Sequence, residues 1–422
     1  MDIFRINGPV RLQGSVKVNG SKNASLPIMA AAILNAGESI ITDVPNLSDI
    51  GVCSELLVAL GCKVSRDENG AIHIDSSKLD NPVGDYEIVR RMRASICILG
   101  PLLARCGKAK VSMPGGCAIG DRPVDIHIRG LRKLGAKIEM ENGYIVAEAP
   151  KGLQGAEIFL GGPFGSTVLG TANVLSAAVL AKGKTVIESA ACEPEISDLA
   201  NFLNKMGARI TGIGSPRLTI EGVENLNSVE HTVIPDRIET GTFMAAATIT
   251  KGQLRIENCR LEHMMAVVEM LRDMGVTIER DGTGCEVVMD TTIKAVMITT
   301  QPYPGFPTDL QAQFMATLAI ADGNSVVVEK VFPDRFMHAA ELNRMATNLR
   351  KEGPAVLISG VEKMMSAPVM ASDLRASAAL VLAAMAAHGE TVVNRIYHID
   401  RGYERIEERL NPLGAKIIRE KE

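Results

Sequence analysis

The segment 114–125, PGGCAIGDRPVD, sets one cysteine, Cys117, among glycines and prolines, with Arg122 shortly after it. Such a loop can move between backbone states. A thiol near a fixed cation has its thiolate stabilised and its pKa drawn below the ordinary value of about 8.5. That chemistry suits a proton donor or a nucleophile. A buried, inert cysteine is the competing reading, and the local residues leave both open.

A second set of residues could hold an anion. Lys22 and Asn23 open the apolar run of GSKNASLP (20–27), and free N–H groups at a helix start beside a lysine suit a phosphate. Ordinary capping by Ser21 or Asn23 is the alternative. Thr308-Asp309 and Ser372-Asp373-Leu374-Arg375 open two later runs, and capping competes there for both aspartates. Arg375, Lys22 and Arg93 are less easily explained, because a cation at a helix N-terminus is unfavourable unless an anion offsets it. Three breaches of one rule suggest a shared anionic ligand. Arg335 in FPDRFMH and Arg401 in HIDRGYERIE are further candidates, with surface ion pairs as the alternative. The stretch GGPFGST (161–167) lacks the lysine and spacing of a P-loop, which excludes that reading.

These residues need a frame, and the chain supplies a repeated one. The patterns LVALGCKV, LRKLGAKI, LNKMGARI, LRDMGVTI, LRKEGPAV and LNPLGAKI place glycines at 61, 135, 207, 275, 353 and 414. Each reads as an amphipathic helix stopped by a glycine and followed by a strand. Before each lies a turn-and-strand pattern such as KGKTVIESA. Before that comes a helix of small apolar residues: 24–34, 93–105, 167–181, 240–250, 310–321 and 374–387. Helices apolar nearly all round belong inside a core. Six such units of about 70 residues in 422 residues predict two domains of three units each.

Composition agrees. Apolar residues are 46% and aromatic ones only 3%, so the cores must be aliphatic. A net charge of -4 argues against a general nucleic-acid binder. No apolar run reaches the roughly 20 residues of a membrane span, and the first residues lack a signal-peptide pattern. The eight cysteines form no CxxC pair, which disfavours structural zinc and a disulfide framework. The expected setting is the cytoplasm, with neither metal nor organic cofactor and a monomeric or weakly oligomeric state.

The segments GSKNASLPIMAAAIL, PGGCAIGDRPVDIH, PDRIETGTFMAAA, FPTDLQAQF, FPDRFMH, SDLRASAALV and YHIDRGYERIEERL together resemble the UDP-N-acetylglucosamine 1-carboxyvinyltransferase family of enolpyruvyl transferases. The resemblance covers essentially the whole chain. It implies an inside-out α/β barrel of two domains, each with three βαβαββ units about a pseudo-threefold axis and the substrates in the cleft between them. It also implies boundaries that put 1–20 with 231–422 and leave 21–230 as the other domain. The activity implied is transfer of the enolpyruvyl group of phosphoenolpyruvate to the 3-hydroxyl of UDP-N-acetylglucosamine, the first committed step of peptidoglycan synthesis. Carried over residue by residue, Lys22, Arg122 and Arg401 would hold the phosphate, with Arg335 and Arg375 at the carboxylate. Asn23, Arg93, Arg122, Pro123, Val124, Asp125, Ile126, His127, Asp309 and Val331 would contact the UDP-sugar, and Asn23 the phosphoenolpyruvate also. Asp309 would be the base, and Asp373 and Arg401 would belong to the catalytic set. Cys117 would be the acid, the site of a covalent pyruvate adduct and the target of fosfomycin-type epoxides. The chain departs from the family pattern at Gly161–Thr167, where contacts to the diphosphate would fall to backbone groups. The shikimate-pathway transferase is the nearest alternative enzyme, and a catalytically silent scaffold the alternative class.

Overall fold

A computed structural model describes residues 2–115 and 124–421. They form two compact units, 2–19 with 235–421 and 20–115 with 124–234. Each unit has its own apolar core.

The repeat is visible in the sheets. There are six, each of four strands, three in each unit. In every sheet an edge strand runs parallel to its neighbour, and the remaining pairs are antiparallel. Met297–Thr299, Asn324–Val328, Ala355–Ser359 and Asn348–Glu352 illustrate this order. A buried helix links the first two strands and an amphipathic helix leads to the final hairpin. This is the βαβαββ unit expected from the sequence, and the two-unit α/β fold class holds.

Three sheets are completed from far along the chain, one of them by Gln13–Lys17 running parallel to Gln253–Glu257. Asp2–Gly8 inserts between Gly389–Asn394 and Ile417–Lys421. Glu230–Thr232 pairs with Glu38–Thr42. The second passage between units therefore falls at 234/235, slightly past the 230 expected.

The six buried helices are α1 (Lys22–Ala31), α2 (Leu99–Cys106), α3 (Val168–Ala178), α4 (Arg237–Ile249), α5 (Gln311–Leu318) and α6 (Leu374–Ala386). Small residues let them approach closely. A Cβ at Gly100 of α2 would lie 2.1 Å from the carbonyl oxygen of Asn173 in α3, so only glycine fits there. Arg93 opens a 3-10 turn, Arg93–Ile98, ahead of α2. That turn runs directly into α2 at Leu99, so Arg93 stands at the start of a continuous helical segment.

The fifth sequence motif was misplaced. Leu349–Glu352 is strand, and Gly353 turns the hairpin that follows. The true helix end is LNRMATNL (342–349), where Ala346 takes a positive φ of 60° in place of a glycine, whose φ runs from 93° to 106° at the other ends. A side-chain clamp confirms the alignment. Asn343 donates to the carbonyl of Leu349 at 2.8 Å and accepts from its N–H at 2.9 Å. Asn204 with Ile210 and Asn411 with Ile417 do the same. Arg132 and Arg272 donate to the equivalent carbonyls of Ile138 and Ile278.

A non-glycine residue in the left-handed region costs roughly 1–2 kcal/mol, partly offset by the extra unfolded-state entropy of glycine. Ala346→Gly is therefore expected to raise the thermal midpoint by about 1–3 °C. A lowered midpoint by calorimetry would contradict this assignment of the fifth helix end.

Candidate active site

The densest set of predicted residues gathers where α5 and α6 begin. Arg335 and Arg375 are 6% and 3% exposed, so each guanidinium needs partners in place of water. Asp309, on the 3-10 turn Thr308–Leu310 that leads into α5, supplies one to both. Its Oδ1 accepts from Arg335 Nη1 at 2.9 Å and its Oδ2 from Arg375 Nη2 at 3.1 Å. Burial alone would lower the pKa of Arg375; Asp309, Tyr403 and Asp236 more than offset it, and the net shift is upward. One carboxylate thus bridges the two guanidiniums. Arginine forks match carboxylate and phosphate oxygens.

The start of α6 is capped by Asp373, whose Oδ1 accepts from the N–H groups of Arg375 and Ala376. The capping reading of this residue is therefore what the geometry shows. Arg401 ends the turn Ile396–Arg401 and is half-buried. Its charge, after burial, helps lower the pKa of His398, which also feels Asp373. Val331 lies on the loop that carries Arg335, and its N–H is held by Glu329 Oε1 at 2.8 Å.

Lys22, Asn23, Arg93 and Val124–His127 belong to the other unit. Lys22 is the first residue of α1, 8% exposed, with Nζ 3.2 Å from Asp49 Oδ2. The dipole-breaking cations at Lys22 and Arg375 thus each have a counter-anion within the protein, Asp49 and Asp309. Both carboxylates come from elements distant along the chain, so the sequence did not show them.

Asp125 opens the helix Asp125–Lys133, on which Ile126 is half-buried. His127, 4% exposed, packs inward: its Nδ1 lies 2.9 Å from Asn173 Nδ2. Asn173 also donates to the carbonyl of Ile96 and accepts from Gly100 N–H. The amide orientation makes His127 Nδ1 the acceptor and leaves the proton on Nε2. Gly161, in the departing segment, offers its carbonyl to Arg129 Nη2 at 2.8 Å.

Cys117, Arg122 and Pro123 lie outside the described residues. Burial pushes the thiols of Cys53 and Cys97 up to about 12 and that of Cys62 up to about 11, so these three are not activated. Among the described residues no group of His, Cys, Asp and Glu is arranged to hold a metal ion, and no helix is long and apolar enough to cross a membrane. Sequence reasoning gave no role to Asp49, Thr242, Thr308, Gln313, Glu329 and Tyr403, although Thr308 and Tyr403 lie in segments it singled out. They matter through contacts between distant elements.

The sequence model of the EPSP synthase (3-phosphoshikimate 1-carboxyvinyltransferase) family matches residues 6–410. Among solved structures, the enolpyruvyl transferase NikO from Streptomyces tendae superposes with a TM-score of 0.90 and 24% identity, covering 99% of this chain and 98% of that one. EPSP synthase from Acinetobacter baumannii gives 0.77 at 18% identity, with both chains fully covered. Fold and family model together define an enolpyruvyl-transferase class of protein. UDP-N-acetylglucosamine 1-carboxyvinyltransferase of Methylacidiphilum infernorum is 53% identical over 99% of both chains, and that of Anaeromyxobacter is 51% identical over the whole of both. The chain belongs to the UDP-N-acetylglucosamine 1-carboxyvinyltransferase family.

His127 also gives a pH test. Burial, then the nearby Arg93, lowers its pKa from 6.5 to about 4. Unfolded chains take up a proton near pH 6.5 while the folded protein does not until about pH 4. Stability is thus lost as pH falls through that window. Denaturant titrations from pH 4 to 6.5 should show wild type gaining on His127→Gln as pH rises, by up to about 1.4 kcal/mol per unit. A pH-independent difference between the two would contradict the buried neutral imidazole.

Proposed function

We propose that this chain transfers the enolpyruvyl group of phosphoenolpyruvate to the 3-hydroxyl of UDP-N-acetylglucosamine, releasing phosphate by addition and elimination. That is the first committed step of peptidoglycan synthesis, and the reading places the enzyme in the cytoplasm. The observation that carries it is Asp309 gripped by two buried arginines, in a chain about half identical to enzymes of that name along its full length.

The chemistry asks for such groups. Protonating C3 of phosphoenolpyruvate makes C2 cationic, and the sugar hydroxyl adds there while a base takes its proton. The tetrahedral ketal then loses a C3 proton and phosphate, restoring the double bond. Asp309 is the base in this reading and Cys117 the acid. Arg335 and Arg375 hold the phosphoenolpyruvate carboxylate, and Lys22, Arg122 and Arg401 its phosphate. Asp373 supports Arg375 from the helix cap. Asn23, Arg93, Pro123, Val124, Asp125, Ile126, His127 and Val331 serve the UDP-sugar. The burial of His127 favours an indirect part for it, through the start of its helix. Holding reactants in near-attack geometry is worth about 7–11 kcal/mol, more than the roughly 10²–10⁴-fold of acid–base help. The cation cluster is accordingly the larger contributor.

Phosphate release should require both phosphoenolpyruvate and UDP-N-acetylglucosamine. Release with shikimate 3-phosphate in place of the UDP-sugar, or none with either acceptor, would overturn the reading. Cys117→Asp should retain activity, because an acid stays in place, and should lose inactivation by fosfomycin-type epoxides. Continued inactivation, or an adduct found by mass spectrometry on another cysteine, would contradict the assignment of Cys117.

A further inference from the structure

The Asp309 pair is the middle of a longer hydrogen-bonded chain whose two ends carry no assigned role. At one end is Glu329, a fully buried carboxylate. It accepts from Thr300 Oγ1 at 2.6 Å, Thr308 Oγ1 at 2.9 Å and the N–H groups of Val331 and Phe332. Because the Thr308 proton is committed to Glu329, its oxygen is free to accept from Arg335 Nη1 at 3.0 Å. Arg335 passes to Asp309, and Asp309 to Arg375.

At the other end, Arg375 Nη1 donates to the hydroxyl of Tyr403 at 3.1 Å, and Gln313 Nε2 donates to the same oxygen at 3.2 Å. The direction of the last bond follows by counting protons. Thr242 gives its only hydroxyl proton to the carbonyl of Ile238, so Tyr403 must donate to Thr242 Oγ1 at 2.7 Å. Tyr403, Thr242 and Gln313 are each buried to within 1%. The chain thus starts on a buried carboxylate, ends on a backbone carbonyl of α4, and reaches water at Asp309, whose side chain is 28% exposed.

We propose that Tyr403 and Glu329 are positioning residues for the two arginines, with separable effects. Of the two arginines Tyr403 touches only Arg375, and it shares the Gln313 amide with Thr242 and the Asp309 carbonyl. Glu329 fixes Arg335 through Thr308 and, through backbone N–H groups, the loop that presents Val331. The inference rests on the reading given under Proposed function and adds to it which ligand each anchor serves.

The substitutions are near-isosteric. Tyr403→Phe removes one oxygen and leaves Arg375 Nη1 and Gln313 Nε2 without that acceptor. Glu329→Gln puts an N–H₂ where a carboxylate oxygen accepted, so either a backbone N–H loses its acceptor or the Thr308 hydroxyl must accept where it had donated. Calorimetric titration with phosphoenolpyruvate and, separately, with UDP-N-acetylglucosamine reads the result without needing turnover; steady-state KM values are read alongside. Tyr403→Phe should weaken phosphoenolpyruvate binding about tenfold, the scale of one charged hydrogen bond, and leave UDP-sugar binding within about twofold. Glu329→Gln should weaken both ligands. Equal effects of the two variants on both ligands, in step with a lowered melting temperature, would reduce the anchors to fold stabilisers and overturn the proposal. So would unchanged phosphoenolpyruvate binding in Tyr403→Phe. Wild-type protein that binds both ligands but releases no phosphate would count against the proposed reaction, while the split between the variants still decides the anchors. Wild-type protein that binds neither would overturn both.

Discussion

Two arginines are buried beside each other in one unit of this protein, and one carboxylate makes that tolerable. Removing a guanidinium from water costs several kcal/mol unless charge and hydrogen bonds replace the solvent. Asp309 does this for Arg335 and Arg375 together, at 2.9 and 3.1 Å. The geometry serves chemistry as well as stability. A carboxylate tied between two guanidiniums is held in one orientation by both. Tyr403 takes Nη1 of Arg375 while Asp309 takes Nη2, and Thr308, held by Glu329, shares Nη1 of Arg335 with Asp309.

The six-fold repeat makes that placement possible. Each βαβαββ unit encloses a helix of small residues whose N-terminus carries the polar residues of its first turn. Nearly every position of α6 from Arg375 to Met385 is buried. A rigid, fully packed helix is a poor place for a charged residue in general, and a good place for one that must not move. Asp373 at the cap and Asp309 from the neighbouring turn set Arg375 from two directions.

Much of this was legible in the sequence, for definite reasons. Helix-stopping glycines before β-branched residues recur because each helix end needs a positive φ, so the repeat showed itself in local signals. The fifth unit broke the pattern because Ala346 takes that conformation without being glycine, and Gly353 nearby drew the match onto a hairpin. Arg375 stood out by the dipole rule and Asp309 and Arg335 by the resemblance, but the counter-anion of each cation did not. Asp49 and Asp309 reach their partners only through tertiary packing. Glu329 and Tyr403 were silent for the same reason. His127 read as a ligand contact by resemblance, whereas the fold turns its ring onto Asn173. Directional hydrogen bonds between separate elements are what local sequence does not encode.

The central claim is that Asp309 acts on the substrate as a base and does more than neutralise its arginines. Rapid-quench single-turnover measurement on Asp309→Asn, which keeps the shape of the side chain, tests this most directly. The account predicts that the chemical step slows by about a hundredfold or more, with affinity for UDP-N-acetylglucosamine changed by less than about threefold. An unchanged single-turnover rate would contradict it.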